Sequence, residues 1–294
     1  MLLFKSNNLF PTSLSIPKPI TYFVKLLQLV SNKLAILFAA KLFTTPIRFS
    51  TPEREKGMEN SSQIKKLYVS SIKKEIHVLS YGYSDKKILL SHGWAGRSTQ
   101  LFMIANKLLE KGFMIISFDG PAHGKSTGKT TNLIEYMETI KTIHQEFGPF
   151  EAAVGHSFGA MAILNSQSLK EIFKCLVTVG SGDKISDILI NFANNLGLNN
   201  RFGKKLITHF EKKWNINLNE FDANKVALKV KTPTLVIHDV NDGDVLVSCA
   251  INIRQNLEKG SLYITSGLGH TKILRDKKVT NKIVQFIIQN TCKK

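Results

Sequence analysis

The stretch Gly155-His156-Ser157-Phe158-Gly159 decides how this sequence folds. It follows a mostly apolar run at 151–154, typical of the end of a strand, and precedes a second apolar run at 160–164, typical of the start of a helix. A serine between two glycines at a strand-to-helix turn is the pattern of a nucleophile elbow. The turn is so tight that its outer positions require glycine, and the serine adopts a strained backbone conformation. The Ser157 hydroxyl is therefore predicted to stand at the end of a sheet, near the first N–H groups of a helix.

A second match to this pattern, Gly124-Lys125-Ser126-Thr127-Gly128, lies in a different context. It follows a turn-like stretch and leads into more polar sequence, so no strand delivers Ser126 and no helix leaves from it. The region also comes close to a phosphate-binding loop. However, only three residues separate Gly120 from Gly124 where that motif needs four, and the carboxylate of Asp119 would repel phosphate. We predict a loop here and disfavour nucleotide binding.

A serine nucleophile needs a histidine base, which in turn needs a carboxylate to orient it. In strand–helix architectures with this elbow, the chain order is serine, acid, histidine. Of the three histidines after Ser157, His209 falls in a Lys-rich helical pattern and is interpreted as a surface or lid residue. His238 ends an apolar strand and is predicted to support the acid loop from inside. His270 follows a strand-like run and is preceded by glycines that permit a sharp loop, so it is the predicted base.

The loop at 238–245 offers three aspartates as the acid. Asp239 stands at the strand exit, where its side chain can turn inward. Asp244 precedes a predicted helix and fits equally well as a neighbour of the helix N-cap. Asp242 lies in the middle of the loop, a few residues beyond the strand end, and is the predicted triad acid.

The oxyanion hole needs two backbone N–H donors. One is expected from Phe158, the residue after the nucleophile. The other is expected from Trp94, because Gly93 follows an apolar strand at 87–90 and lets the backbone turn toward the serine. For an isolated His-Gly pair, a plain strand-to-helix turn is an equally good interpretation.

Together these motifs resemble the α/β-hydrolase fold superfamily over about residues 65–290. The resemblance implies a serine hydrolase with Ser157, Asp242 and His270 as its triad, without a metal or a cofactor. It also implies that the segment from Asp119 to Ser126 is a structural turn after the fourth strand. The motifs that carry the resemblance are His92-Gly93-Trp94, 118–126, 155–159, 238–245 and Gly267-Leu268-Gly269-His270.

The oxyanion motif departs from one family pattern, since it lacks the His-Gly-Gly-Gly run of some esterases and lipases. The bulky Trp94 is expected to narrow the acyl pocket, which disfavours esters of bulky tertiary alcohols. The family also contains thioesterases, peptidases, acyltransferases and catalytically silent members, and the fold does not separate them.

Hydrophobic periodicity predicts a mostly parallel, eight-stranded sheet with helices on both faces. An apolar fraction of 43% is sufficient for a large core. The predicted strands are 65–70, 74–81, 86–91, 113–118, 151–156, 174–179, 233–238 and 261–265. The predicted helices of the body are 98–111, 131–146, 158–169, 246–257 and 278–290.

The hydrolase domain is predicted at 61–294, with a small helical lid inserted at about 181–231. The lid has helical periodicity at 185–196 and 204–214 and no strand-like run. Its large apolar side chains could line an acyl pocket or pack the lid onto the body, and packing is the favoured interpretation for most of them. These side chains are Phe192, Leu196, Phe202, Phe210 and Trp214.

The cysteines Cys175, Cys249 and Cys292 fit neither a metal pattern nor a disulfide framework, which favours a reducing compartment such as the cytoplasm. The net charge is +18, yet only six of the 40 basic residues are arginine. Nucleic-acid readers depend on arginine, and no nucleic-acid motif is present. The predicted partner is therefore a small acyl substrate, not nucleic acid, with a general attraction to anionic surfaces.

Residues 1–60 form a basic, apolar segment with helical character, and its first 52 residues carry six basic residues and no acid. Lysines at positions 25, 33 and 41 interrupt the apolar residues, so a membrane span does not fit. A signal peptide fits poorly as well, because the longest apolar run follows many residues of mixed sequence and ends in Lys41 without a small-residue cleavage site. The favoured interpretation is a helix packed on the hydrolase body. The alternative is peripheral contact of residues 20–45 with an anionic membrane.

Two classes of function remain after these arguments. The leading hypothesis is hydrolysis of a carboxylic ester or thioester through an acyl-enzyme on Ser157. The alternative is a non-catalytic or membrane-docking protein on a hydrolase scaffold. An intact serine, acid and histidine set argues against the alternative, and covalent labelling by a fluorophosphonate distinguishes the two.

Overall fold

A computed structural model describes residues 16–291 of the protein, and Cys292 lies outside this range. Within it, the strands are β1 (Ser62–Val69), β2 (Lys74–Tyr81), β3 (Lys87–Ser91), β4 (Met114–Phe118), β5 (Phe150–His156), β6 (Phe173–Val179), β7 (Thr234–Asp239) and β8 (Gly260–Thr265). The helices are α1 (Lys18–Val30), α2 (Asn32–Thr44), α3 (Glu53–Asn60), α4 (Phe102–Leu109), α5 (Leu133–Phe147), α6 (Phe158–Leu169), α7 (Ile185–Asn195), α8 (Asn200–Trp214), α9 (Ala223–Ala227), α10 (Val247–Asn256), α11 (Gly269–Lys272) and α12 (Lys277–Thr291).

All eight strands form one sheet in the order β1-β2-β4-β3-β5-β6-β7-β8. The first two contacts, β1 with β2 and β2 with β4, are antiparallel, and every later pair is parallel. The predicted eight-stranded, mostly parallel sheet is confirmed. Because parallel strands end at the same edge of a sheet, the loops after β5, β7 and β8 all lie at its carboxyl edge, with β6 between β5 and β7.

Helices cover both faces of the sheet, so its central strands are buried on both sides. In β3, Leu89 belongs to one apolar cluster, whereas Ile88 and Leu90 belong to another. This alternation follows from the two-residue period of a strand. The unbroken apolar runs that predicted these strands are thus the consequence of burial on two faces.

Helix α4 begins later than the sequence pattern predicted, at Phe102 instead of position 98. The backbone N–H of Ser98 donates to Asp119 Oδ1 at 2.7 Å, and the N–H of Phe102 closes a turn on Thr99. These bonds commit residues 98–101 to a turn that holds the loop after β3 against the loop after β4.

A third apolar cluster joins the N-terminal helices to the helices inserted after β6. Val24 of α1 and Ala39 of α2 are fully buried there, together with Phe202 and Phe210 of α8. The N-terminal segment contains two helices because Ser31 adopts an extended conformation, with φ −159° and ψ 122°, and caps α2. Leu196, Phe202 and Phe210 are buried in this cluster, so they pack the insertion against the N-terminal helices, whereas the favoured interpretation had them pack the lid onto the body.

Two polar contacts fix the chain that follows these helices to the body. The guanidinium of Arg48 donates to the backbone oxygens of Ala122, Ser126 and Gly128 at 2.7–3.0 Å. Buried Glu55 of α3 accepts a bidentate pair of bonds from Arg97, at 2.8 and 3.2 Å. Residues before the first strand are therefore tied to the loops that surround the sheet's carboxyl edge.

Candidate active site

Ser157 forms a sharp turn between β5 and α6. Its φ of 51° and ψ of −117° are unusual for a residue with a side chain, and such strain is characteristic of functional turns. Its backbone N–H donates to Val179 O at 2.8 Å, which ties the turn to the end of β6. The hydroxyl therefore stands at the carboxyl edge of the sheet, as the sequence predicted.

The glycines around Ser157 are required by close backbone contacts. A β-carbon at Gly155 would lie 2.6 Å from the Ala160 Cα, and one at Gly159 would lie 2.3 Å from the Ser91 O. A β-carbon at Gly93 would lie 3.0 Å from the Ser157 Cβ. All three distances are shorter than ordinary carbon contacts, so these positions let β3, β5 and α6 approach one another.

Gly159→Ala is accordingly expected to destabilise the fold by at least about 2 kcal/mol, since the clash is with rigid backbone in a packed core. Urea denaturation measures this. The matched control is Gly57→Ala in α3, where nothing lies within 4 Å of the added carbon. That variant is expected to gain about 0.5–1 kcal/mol from helix propensity. Equal stability of the two variants would refute the close-approach argument.

Asp242 and His270 are joined directly, although 28 positions apart in the chain. His270 Nδ1 lies 2.7 Å from Asp242 Oδ2. The other carboxylate oxygen of Asp242 accepts the N–H groups of Asp244 and Val245, each at 2.9 Å. Asp242 is buried and its orientation is fixed by three hydrogen bonds, so it can hold the imidazole in one position.

The environment moves the pKa values of this pair apart. Burial is the largest single influence and lowers the pKa of His270, but the hydrogen bond from Nδ1 to Asp242 and the charges of Asp242 and Asp244 outweigh it. The pKa of His270 is raised above 6.5 as a result. Burial raises the pKa of Asp242, yet its bond with His270 leaves that pKa below the usual 3.8.

The two other aspartates of the loop have different surroundings. Asp239 Oδ2 accepts the Thr265 hydroxyl at 2.7 Å and the N–H of Leu268 at 3.1 Å, so it shapes the turn that carries the histidine. Asp244 Oδ2 lies 4.0 Å from His270 Nε2. Helix α10 starts at Val247 with Leu246 as its N-cap, so Asp244 lies two positions before the N-cap, as a neighbour of it.

Asp242, Asp244 and His270 are also close enough to be considered as a metal site, since their ligating atoms lie within 4.8 Å of one another. The donors are already engaged, however. Asp242 uses both carboxylate oxygens, one on His270 Nδ1 and the other on two backbone N–H groups. The arrangement fits an orienting carboxylate better than a ligand set.

His270 and Ser157 come to the same corner through their neighbours. The ring of His156 lies 4.7 Å from the ring of His270, and His156 Nε2 bonds the His270 backbone oxygen at 2.9 Å. A β-carbon at Gly180, next to the residue that pairs with Ser157, would lie 3.2 Å from His270 Nδ1. Within residues 16–291 the Ser157 hydroxyl makes no hydrogen bond to the imidazole. Such bonds often tighten only in the substrate complex.

Both predicted oxyanion donors have backbone geometry that suits the role. Phe158 is the first residue of α6, so its N–H has no partner inside the helix, and the N-cap side chain makes no bond. Trp94 occupies the second position of a turn closed by the Gly96 N–H on Gly93 O at 3.0 Å, with Ala95 at φ 56°. The turn bond does not use the Trp94 N–H.

Comparison with known proteins agrees with this architecture. A family model described as the alpha/beta hydrolase fold matches residues 86–205. The Pyrococcus furiosus esterase Pf2001 superposes with a TM-score of 0.66 at 16% identity, covering 84% of this chain and 99% of that chain.

This protein has the α/β-hydrolase fold.

Two further solved structures are similar to this α/β-hydrolase-fold protein. The lip1 protein of Acinetobacter baumannii AYE has a TM-score of 0.63 and 18% identity over 84% of this chain and 99% of that one. Est1E of Butyrivibrio proteoclasticus, solved with ferulic acid bound, has a TM-score of 0.60 and 15% identity over 77% of this chain and 100% of that one. No curated protein sequence matches this chain significantly.

Several polar contacts around the site were not predicted from the sequence, although His92 belongs to the motif His92-Gly93-Trp94. His92 donates from Nδ1 to Gly93 O at 2.7 Å and accepts the Gly120 N–H on Nε2 at 2.8 Å. Burial lowers the pKa of His92 to about 4, so the ring stays neutral and keeps both bonds. Tyr136 donates its hydroxyl to His92 O at 3.0 Å. These bonds fix the loop that carries Trp94.

The structure also places the two other histidines after Ser157 and the second serine motif. His238 is fully buried and bonds Val245 O at 2.9 Å, so it supports the acid loop from inside. His209 lies on α8, far along the chain from the site loops. Ser126 lies in a loop, where its hydroxyl donates to Asp119 O and accepts from the His77 N–H. It is buried and has no strand–helix setting.

Phe43 of α2 lies near the site and was not among the residues selected from the sequence. Its ring lies 5.1 Å from Phe192 and 5.7 Å from Phe210, and it stacks on Trp94 at 6.3 Å. The N-terminal helices therefore reach the predicted oxyanion loop. No local motif signals this contact, because the residues are far apart in sequence.

Proposed function

We propose that this protein is a serine hydrolase that cleaves a carboxylic ester or thioester through an acyl-enzyme on Ser157. One observation carries the proposal. The strained serine turn and the hydrogen-bonded Asp242–His270 pair occupy the same corner of the sheet's carboxyl edge. That combination has no evident use in a purely structural protein, because backbone strain is costly and persists only where its surroundings enforce it.

The proposed reaction begins with attack of the Ser157 hydroxyl on the acyl carbon. His270 Nε2 takes the hydroxyl proton while Nδ1–H stays bonded to Asp242, which stabilises the imidazolium that forms. The N–H groups of Phe158 and Trp94 bind the negatively charged oxygen of the tetrahedral intermediate. His270 then protonates the leaving alcohol or thiol, and an acyl-enzyme remains. Water activated by His270 releases the acid and restores the serine.

The cover of the site is proposed to come from two segments together, the inserted helices at 181–231 and the N-terminal helix pair α1–α2. Phe43 supports this assignment, since it contacts Phe192 of the insertion and Trp94 of the body. The aromatic surface so formed suits an apolar acyl group. The domain division proposed from this arrangement is an N-terminal segment, 1–60, that packs on a hydrolase domain, 61–294.

Hydrolysis of p-nitrophenyl esters with acyl chains of increasing length tests the proposed function. We expect turnover well above the buffer rate with at least one short chain, and a decline where the acyl group outgrows the aromatic pocket. A matched series of acyl thioesters shows which leaving group is preferred. Buffer-level rates with every ester and thioester would contradict the proposal.

The pH profile is expected to follow His270. The base must be neutral, so kcat/KM falls as pH drops through a pKa that lies above the ordinary 6.5. Asp244→Asn removes a negative charge 4.0 Å from Nε2, which lowers the pKa of His270 and moves the acid limb to lower pH. Rate profiles of wild type, Asp244→Asn and the remote control Glu258→Gln measure this. An acid limb that moves upward in Asp244→Asn would contradict the assignment.

A further inference from the structure

The outer face of the N-terminal helix pair is an exposed apolar surface. On α1 it comprises Tyr22, Phe23, Leu26, Leu29 and Val30, and on α2 it continues through Leu34 and Leu37. We call these seven residues the apolar patch. Leu29 is 85% exposed and Val30 73% exposed. Positions 22, 26, 29 and 30 share one side of a helix, so the exposure is a continuous stripe.

The patch is unusual within the chain. Of the 19 large hydrophobic side chains exposed in the described residues, nine lie in the segment 22–49. That segment is about a tenth of the described chain, so an even distribution would place about two of the 19 exposed side chains in it. Contiguous exposed apolar surface of this kind marks an interaction site. The inner face of the same helices is buried against α7 and α8, which holds the outer face in place.

A basic cleft adjoins the apolar patch. It has a volume of about 600 Å³ and lies between α2 and α8. Of the described residues, five basic side chains and no acidic one line it: Lys33, Arg201, Lys204, Lys205 and Lys212. Leu37 belongs to both the cleft and the patch, so the two surfaces are contiguous. Residues 18–44 contain no aspartate or glutamate.

We propose that the apolar patch and the basic cleft together dock the protein on an anionic phospholipid bilayer. The patch inserts among the acyl chains near the headgroups, and the cleft binds lipid phosphates beside it. The contact is peripheral, since every helix in residues 16–291 is too short or too polar to span a bilayer. The proposal concerns an interaction surface and does not depend on the proposed hydrolysis.

A bilayer fits this surface better than a second copy of the chain. Two copies facing each other would bring two basic clefts together, and the chain already carries a net charge of +18. An anionic bilayer instead offers an apolar acyl-chain region for the patch and negatively charged headgroups for the cleft. The geometry also brings the site close to lipid, because Phe43 on the same helix α2 stacks on Trp94.

Sedimentation of the full-length protein with lipid vesicles tests the proposal. The vesicles are phosphatidylcholine alone, or phosphatidylcholine with about 30% phosphatidylglycerol. We expect at least about tenfold stronger partitioning to the anionic vesicles. Leu29→Gln combined with Val30→Gln removes apolar area from the patch without adding charge. Lys204→Glu combined with Lys212→Glu replaces two positive charges of the cleft by negative ones. Each pair is expected to reduce partitioning by about tenfold or more.

Matched controls use an exposed face at the opposite edge of the sheet. Leu169→Gln, at a side chain 75% exposed, and the pair Lys229→Glu with Lys231→Glu should bind vesicles as wild type does. Melting curves confirm that each variant is folded. If the control variants lost as much vesicle binding as the patch and cleft variants, general charge attraction would explain the binding and the proposal would be overturned. Full vesicle binding by the Leu29/Val30 variant would overturn it in the same way. So would absent vesicle binding, or a wild-type dimer in light scattering that the Leu29/Val30 variant disrupts.

Discussion

Ser157→Ala is expected to lower kcat for ester hydrolysis by about four to six orders of magnitude. The hydroxyl is the only group of the proposed site that bonds covalently to the acyl carbon, so removing it eliminates the acyl-enzyme route. A residual rate above buffer is expected, because the Phe158 and Trp94 N–H groups still polarise a bound ester. Steady-state rates on the best p-nitrophenyl ester measure the effect.

The control for this variant is Ser168→Ala on α6. Among residues 16–291 its hydroxyl bonds only the Asn165 backbone oxygen, so its loss should leave kcat within about twofold of wild type. The melting temperature of Ser157→Ala should stay close to that of wild type, because alanine keeps the β-carbon of the turn and the hydroxyl makes no hydrogen bond to another described residue that contributes to the fold. Wild-type turnover by Ser157→Ala would show that the nucleophile has been misassigned.

Asp242→Asn is expected to lower kcat by about three to four orders of magnitude with little loss of stability. The asparagine oxygen can still accept the N–H groups of Asp244 and Val245, so the loop keeps its shape. Its amide, however, can donate to His270 Nδ1, which favours the tautomer that carries its proton on Nε2. An imidazole in that tautomer cannot take the serine proton.

The three loop aspartates give this prediction an internal comparison. Asp244→Asn should lower kcat by less than about tenfold near neutral pH, because the Asp244 carboxylate influences the charge of His270 without orienting the ring. Rates and melting temperatures of the two asparagine variants are measured side by side. A larger loss in Asp244→Asn than in Asp242→Asn would transfer the orienting role to Asp244.

Much of the fold was predictable because the central strands are buried on both faces. Such strands appear in the sequence as unbroken apolar runs, and β3 at Lys87–Ser91 lies within a residue of its predicted bounds. Helix α3 was not predicted, since its sequence EREKGMEN has no apolar stripe. It is held instead by the buried ion pair of Glu55 with Arg97, and the partners of an ion pair 42 positions apart leave no local pattern.

The site residues also fall into two groups, those that a local motif predicts and those that depend on long-range contacts. Ser157 and the glycines around it could be predicted because backbone geometry alone requires those residue types. The choice of Asp242 among three aspartates depended on its position in the loop, and the structure places it against His270. Tyr136 and Phe43 were missed because each acts through a contact with a distant loop, which periodicity does not encode.

Fluorophosphonate labelling followed by peptide mass spectrometry tests the central claim most directly. The reagent bonds only to a serine that a neighbouring base has activated, so it reports on the geometry of Ser157 and His270 without knowledge of the substrate. We predict one phosphonyl adduct per chain, located on Ser157, and no adduct in His270→Ala. An unlabelled wild-type protein, or an adduct on Ser157 that persists undiminished in His270→Ala, would contradict the account.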